Sequence, residues 1–229
     1  MCGRFVRSFT IDELIQEINE AVPAVHVMRG DDDAISSPHF NQPPSLPIPV
    51  VRFDRDHLVL EQMTWGFDMG GSSQLVINAR SESVVDKPMF RNLVTSHRCA
   101  VPMDGFYEWH REGSRKTPFY ISRDDNQRMW VAGVWRRSQE KSQVVLLTND
   151  ATGVLHTIHH RSPCQITIDD ALSWTADSQP HLELLNPGTG PMLRAHRVSK
   201  DVNSIRNNRN DLVAEIDDEE DDAQMNLFD

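Results

Sequence analysis

Met1-Cys2-Gly3 places a cysteine second in the sequence, where removal of the initiator methionine leaves a free α-amine and a thiol on one residue. An α-amine titrates near ~8 and a thiol near ~8.5, so each keeps a reactive fraction at neutral pH. With an aldehyde, such a 1,2-aminothiol forms a Schiff base through nitrogen and then closes a five-membered thiazolidine through sulfur. With an amide it can act as an N-terminal nucleophile whose own amine is the base. The competing reading is an accidental cysteine on a frayed terminus. Against it, Gly3 permits unusual backbone geometry and Phe5 can anchor the segment in a core. Proton-handling groups accompany the cysteine: Glu108 lies within Gly105-Phe106-Tyr107-Glu108-Trp109, and His156-x-x-His159-His160 offers imidazoles suited to a proton shuttle. These histidines lack carboxylate or cysteine partners at an established ligand spacing, so neither a metal nor another cofactor is expected.

The elements that must position these groups follow from pattern. Thr10-Ile-Asp-Glu13 is a capping box, and Ile11, Leu14, Ile15 and Ile18 recur at helical spacing, which predicts a helix over 11–21. Prolines at 38, 43, 44, 47 and 49 punctuate a loop. Apolar runs at 48–53 and 58–63 then read as strands joined across Asp54–His57. Further strands are expected at 74–79, 98–103, 105–110, 118–122, 129–135 and 143–148, at spacings that suit hairpins and not crossovers. Helical stretches are expected near 81–87, 169–174 and 179–186. The mixture predicts an α+β domain on an antiparallel, barrel-like sheet core with flanking short helices.

Charge divides the 229-residue chain in two. The net charge of −11 would argue against a polyanionic partner. Yet Asp211–Asp229 holds nine acids and no base, leaving 25 acids and 23 bases in a nearly neutral, arginine-rich body over 1–210. Asp217–Asp222 is an unbroken run of six carboxylates that self-repel, so 211–229 is expected to be a disordered tail. No apolar run approaches the ~18 residues of a membrane span. Three cysteines suit a reducing compartment, and no secretory signal opens the chain, so a cytoplasmic, nucleoid-associated monomer is expected.

Five segments taken in order resemble one family. Met1-Cys2-Gly3-Arg4-Phe5, Thr64-Trp65-Gly66-Phe67, Asn78-Ala79-Arg80-Ser81-Glu82, Gly105-Phe106-Tyr107-Glu108-Trp109 and Ile158-His159-His160-Arg161-Ser162-Pro163 are similar to motifs of the SRAP (SOS response-associated peptidase) family. Members of that family cross-link covalently to abasic sites in single-stranded DNA. Ser162 stands where the family has Met, Cys164 where it has an aliphatic residue, and Asn41-Gln42-Pro43-Pro44 replaces Asn-x-Ala-Pro. None of these departures removes a reactive group.

The resemblance implies that Cys2 senses the abasic site and closes a thiazolidine on it, protecting the lesion during replication. Glu108 is then the acid–base group, and His159, two residues before Arg161, is the family's histidine. Asn78 could orient the amine or the sugar oxygen, and Thr148 matches a family position near the terminus. Arg4, Arg80, His160 and Arg161 are candidate DNA contacts, arginine binding phosphate bidentately. Trp65 and Phe67 either stack on bases or belong to the core.

Gln224-Met225-Asn226-Leu227-Phe228 resembles the bacterial clamp-binding pentapeptide, which implies the sliding β-clamp as a partner reached through the acidic arm. The alternative functions are an N-terminal-nucleophile amidohydrolase or a thiol autopeptidase, both using Cys2. Glutamine amidotransferases share the Met-Cys-Gly start but continue differently from Arg4-Phe5.

Overall fold

Thr10 opens the first helix by the expected reciprocal cap: its Oγ1 accepts from the Glu13 N–H, and Glu13 Oε2 accepts from the Thr10 N–H at 2.7 Å. That helix, α1 (Ile11–Ala21), buries Ile11, Leu14 and Ile18. Three others follow, α2 (Arg91–Ser96), α3 (Gly153–His156) and α4 (Ile168–Ala176), the last opened by the same box between Thr167 and Asp170. These elements belong to a computed structural model that describes residues 2–30, 37–70, 74–139 and 141–216. None of its helices is long and apolar enough to cross a membrane among the described residues.

Five strands close a barrel. In spatial order they are Lys141–Asp150, Met129–Ser138, Arg98–Met103, Pro47–Asp54 and His57–Trp65, each antiparallel to the next. The ring shuts where His57–Trp65 returns to Lys141–Asp150 in parallel, with Gln143 opposite Thr64 and Val144 opposite Trp65. A second antiparallel sheet runs in the order Leu193–Arg197, Arg115–Arg123, Gly105–Glu112, Phe5–Arg7, His39–Gln42. The architecture is α+β, with a barrel core and short flanking helices.

Alternation along the barrel strands builds two cores. Val144 and Leu146 point into a cluster with Phe5, Trp65, Phe106, Ile121 and Cys2, between the barrel and the second sheet. Their neighbours Val145 and Leu147 point the other way, into a cluster with Leu14 and Ile18 of α1 and Trp174 of α4. Close packing of the second sheet depends on Gly105. A Cβ there would lie 2.5 Å from the Ile121 carbonyl oxygen and from the Tyr120 hydroxyl.

Several expectations change. The 81–87 helix is a single 3-10 turn over Ser81–Ser83, and 179–186 shortens to a 3-10 turn at Leu182–Leu185. Past residue 210 the chain still packs on the domain: Leu212 is buried and the Ile216 N–H donates to the Arg197 carbonyl at 3.1 Å. The acidic run from Asp217 and the peptide Gln224, Met225, Leu227, Phe228 lie outside the described residues.

Candidate active site

The N-terminal segment is a structural strand. Phe5–Arg7 pairs with Gly105–Glu112 on one side and His39–Gln42 on the other, with Phe5 opposite Phe106. The ladder continues outward through the Tyr107 N–H donating to the Arg4 carbonyl at 2.9 Å, which carries Gly3 and Cys2 alongside Glu108. Cys2 is 1% exposed, and the Asn78 Nδ2 donates to its carbonyl at 2.8 Å. Burial pushes the Cys2 thiol well above its ordinary range, and the neighbouring Glu108 carboxylate pushes it further. The thiol at rest is therefore protonated.

Glu108 is buried and faces inward by strand alternation, on the same face as Phe119 and Arg197 of the next two strands. Its neighbour Trp109 faces outward. There the Trp109 Nε1 donates to Asn203 Oδ1 at 2.8 Å, Lys116 Nζ lies 5.0 Å from its ring centroid, and Arg4 lies 5.6 Å away. Gly3, Arg4, Trp109, Lys116 and Asn203 together line an open cleft of about 380 Å³ beside the cysteine. Lys116 was not among the sequence candidates. Strand alternation in Phe-Tyr-Glu-Trp, with Glu inward and Trp outward, was the available signal for Trp109.

His159 follows α3. Its Nδ1 accepts from the Arg161 backbone N–H at 2.9 Å, which assigns the ring proton of the neutral form to Nε2. Burial holds the imidazole below its ordinary range, with the Glu108 carboxylate acting in the opposite direction. The exposed His160 stacks on it at 4.4 Å. Asn78 completes the set: its Oδ1 is buried and has no hydrogen-bond partner among the described residues, so the amide that holds the Cys2 carbonyl keeps one acceptor unused.

A brace centred on the buried Arg161 side chain ties two parts of the site together. The Arg161 guanidinium donates to both oxygens of Glu82 at 2.7 and 2.9 Å, to Asp150 Oδ1 at 2.5 Å and to the Thr148 carbonyl at 2.6 Å. Glu82 lies four residues beyond Asn78, and Arg161 two beyond His159. The brace thereby ties the amide to the imidazole, which no sequence spacing could reveal across 79 residues.

The expected DNA contacts divide between the core and the surface. Trp65 and Phe67 are both 0% exposed: Trp65 packs on Phe5 at 5.3 Å and donates its Nε1 to the Ile77 carbonyl at 3.0 Å, so neither ring offers a stacking surface. Thr148 is buried, its hydroxyl donating to the Ala79 carbonyl at 3.3 Å. Arg161 is committed to the brace. Arg4 rims the cleft, but its guanidinium is bonded to Asn41 Oδ1 at 3.0 Å, to the Asn203 carbonyl at 3.1 Å and to the Val202 carbonyl. Arg80 and His160 are exposed beside the site. Among the described residues, no group of three or more His, Cys, Asp and Glu side chains could hold a metal ion.

A closed barrel that buries a cysteine beside a carboxylate and an amide defines an α+β protein with one enclosed thiol site. The family model described as SOS response associated peptidase (SRAP) matches residues 1–205, and the chain belongs to that family. It is 27% identical over 230 residues to the abasic site processing protein YedK of Escherichia coli, covering 94% of this chain and 100% of that one. It is also 27% identical over 230 residues to the abasic site processing protein YoqW of Bacillus subtilis, covering 93% and 99%. A crystal structure of a Bacteroides thetaiotaomicron protein superposes with a TM-score of 0.76 at 20% identity, covering 94% of this chain and 100% of that one. That likeness concerns the fold.

Proposed function

We propose that this chain processes abasic sites in single-stranded DNA by forming a thiazolidine between the sugar aldehyde and Cys2 after removal of Met1. The observation that carries the reading is the placement of Cys2: an ordered residue, its carbonyl held by Asn78, its thiol buried against Glu108. The names of the two relatives above support the choice of substrate.

The ring-opened abasic deoxyribose presents an aldehyde. The Cys2 α-amine attacks its carbon first, since the thiol is held protonated, and Asn78 Oδ1 is the acceptor that can orient the amine. The Glu108 carboxylate takes each proton shed by nitrogen and returns it to oxygen, first making the carbinolamine hydroxyl and then letting it leave as water to give the imine, while the His159 Nε2–H donates to that oxygen. The thiol sulfur then adds to the imine carbon, and its proton ends on nitrogen. In sum, amine, aldehyde and thiol become thiazolidine and water, with no change of oxidation state.

Lys116, Arg80 and His160 are the cationic or hydrogen-bonding groups offered to the phosphates around the lesion, and Trp109 is the half-buried ring at the cleft offered to a base. The tail peptide Gln224–Phe228 is the proposed tether to a sliding clamp.

The test is a denaturing gel after incubation with a single-stranded oligonucleotide carrying one abasic site, beside intact DNA and the Cys2→Ala variant. A heat-stable shifted band is expected only for the unmodified protein on abasic DNA. Its absence would overturn the proposal, and glutamine hydrolysis in its place would make the chain an amidohydrolase.

A further inference from the structure

The last described turn, Asn210–Val213, sits on the same part of the second sheet as the cleft beside the cysteine. Val213 packs against the cluster of Tyr107, Tyr120, Val198 and Val202, and so does Trp109, the ring that walls the cleft. Three residues on, the Ile216 N–H donates to the carbonyl of Arg197, on the edge strand of that sheet. Arg197 stands opposite Phe119, and Phe119 opposite Glu108. The chain therefore leaves the domain two strand spacings, roughly 10 Å, from the strand that carries Glu108 and Trp109. The next six residues, Asp217–Asp222, are all carboxylates. Extended, six residues span roughly 20 Å, twice that separation.

The cleft is cationic, and its charge is not compensated. Its lining holds Arg4 and Lys116 and no carboxylate. Every bond of the Arg4 guanidinium goes to a neutral oxygen: Asn41 Oδ1 and the carbonyls of Val202 and Asn203. Lys116 lies over the Trp109 ring and has no carboxylate partner among the described residues. The hairpin that carries it also exposes Arg111 and Arg115, against one carboxylate, Glu112. A run of six negative charges tethered beside such a surface is drawn to it, and the tether holds its local concentration near ~1 mM.

We infer that Asp217–Asp222 occupies this cleft in place of the phosphates of a nucleic-acid strand, so that DNA must displace the chain's own tail on its way to Cys2. The occupant is chosen by the charge of the cleft and the point where the chain leaves the domain; the competitor rests on the single-stranded DNA reading above. A non-specific polyanion contact has a Kd of about 10⁻⁴ M, and set against ~1 mM it covers the cleft about nine-tenths of the time. That lowers the affinity for intact DNA about tenfold. Abasic DNA is held by a covalent bond that drains the equilibrium, so the yield of a cross-linking gel run to completion does not depend on the tail. Undamaged DNA has only its charge to offer and is the ligand the tail turns away.

The test is the full-length protein with the run made neutral: Asp217→Asn, Asp218→Asn, Glu219→Gln, Glu220→Gln, Asp221→Asn and Asp222→Asn. Fluorescence anisotropy on a labelled, intact oligo-dT should show it binding about tenfold tighter than the unmodified chain at roughly 50 mM salt, and the gap should narrow at roughly 200 mM. Lys116→Gln tests the place. A tail docked in the cleft loses grip together with the DNA, so in that background neutralising the run should gain only about threefold. Equal binding by the two tails at low salt overturns the inference. An undiminished tenfold gain beside Lys116→Gln also overturns it, because the tail then acts as a remote repelling charge. Thermal melts establish that each variant is folded. If both proteins cross-link abasic DNA and bind intact DNA equally, the inference fails alone. If neither cross-links while the neutral tail still tightens binding, the inference stands and the covalent chemistry fails; no DNA binding by either overturns both.

Discussion

Replacing Glu82 by Gln tests whether the Arg161 brace organises the site. The side chain of Arg161 is 6% exposed, and two of its four strongest bonds go to Glu82. Glutamine keeps one accepting oxygen and loses the charge, so one charge-assisted bond and its Coulomb attraction disappear. Such bonds contribute about 1.5–3 kcal/mol when buried. The Glu82 side chain is 46% exposed and Asp150 still faces the guanidinium, which reduces the loss to about 1–1.5 kcal/mol. For a protein of this size that lowers the melting temperature by about 3–5 °C. Arg161 holds the Glu82 carboxyl below the usual carboxylate range, so the stabilisation is fully present above the ordinary value near ~4.3 and is lost as pH falls through the depressed one. Thermal melts of both proteins at pH 7 and in a series down to pH 3 are the assay. Equal melting temperatures at pH 7, or a gap that stays constant to the acid end, would refute the brace as described.

Three further outcomes are expected. Burial keeps His159 neutral, so the unfolded chain binds more protons near pH 6, and stability falls as pH drops below the ordinary imidazole value of ~6.5; His159→Gln should flatten that part of the melting curve. Gly105→Ala should destabilise by about 1–3 kcal/mol, read by urea unfolding, because its Cβ collides with backbone and a buried ring. Deleting Asp217–Asp229 should leave cross-linking unchanged and abolish clamp binding, read by gel and by surface plasmon resonance respectively.

Much of this molecule could be read locally. The capping box placed α1 to the residue, and Arg98–Met103, buried along its whole length, stands out as a short apolar run. What escaped was set by partners distant in sequence. Phe5–Arg7 is too short to declare itself a strand, and becomes one only between its two neighbours. Leu193–Arg197 reads Leu-Arg-Ala-His-Arg, a half-exposed edge with no clean alternation of hydrophobicity. The parallel join that shuts the barrel pairs residues some 80 positions apart. In the site, residue types singled out Cys2, Glu108 and His159, but not the degree of their burial. An aromatic next to a glycine suits a base or a core equally, and Trp65 and Phe67 turned inward. Arg161 could have met phosphate had Glu82 not already occupied it.

The bonds from Arg4 to the carbonyls of Val202 and Asn203 span 198 and 199 residues. A chain synthesised from its N-terminus cannot make them until nearly all of it has emerged, and contacts of such separation form late because their loop entropy must be overcome first. The segment around Arg4 is thus among the last to be fastened. Until then the thiol is neither buried nor aligned, and Cys2 is open to oxidation and to stray aldehydes.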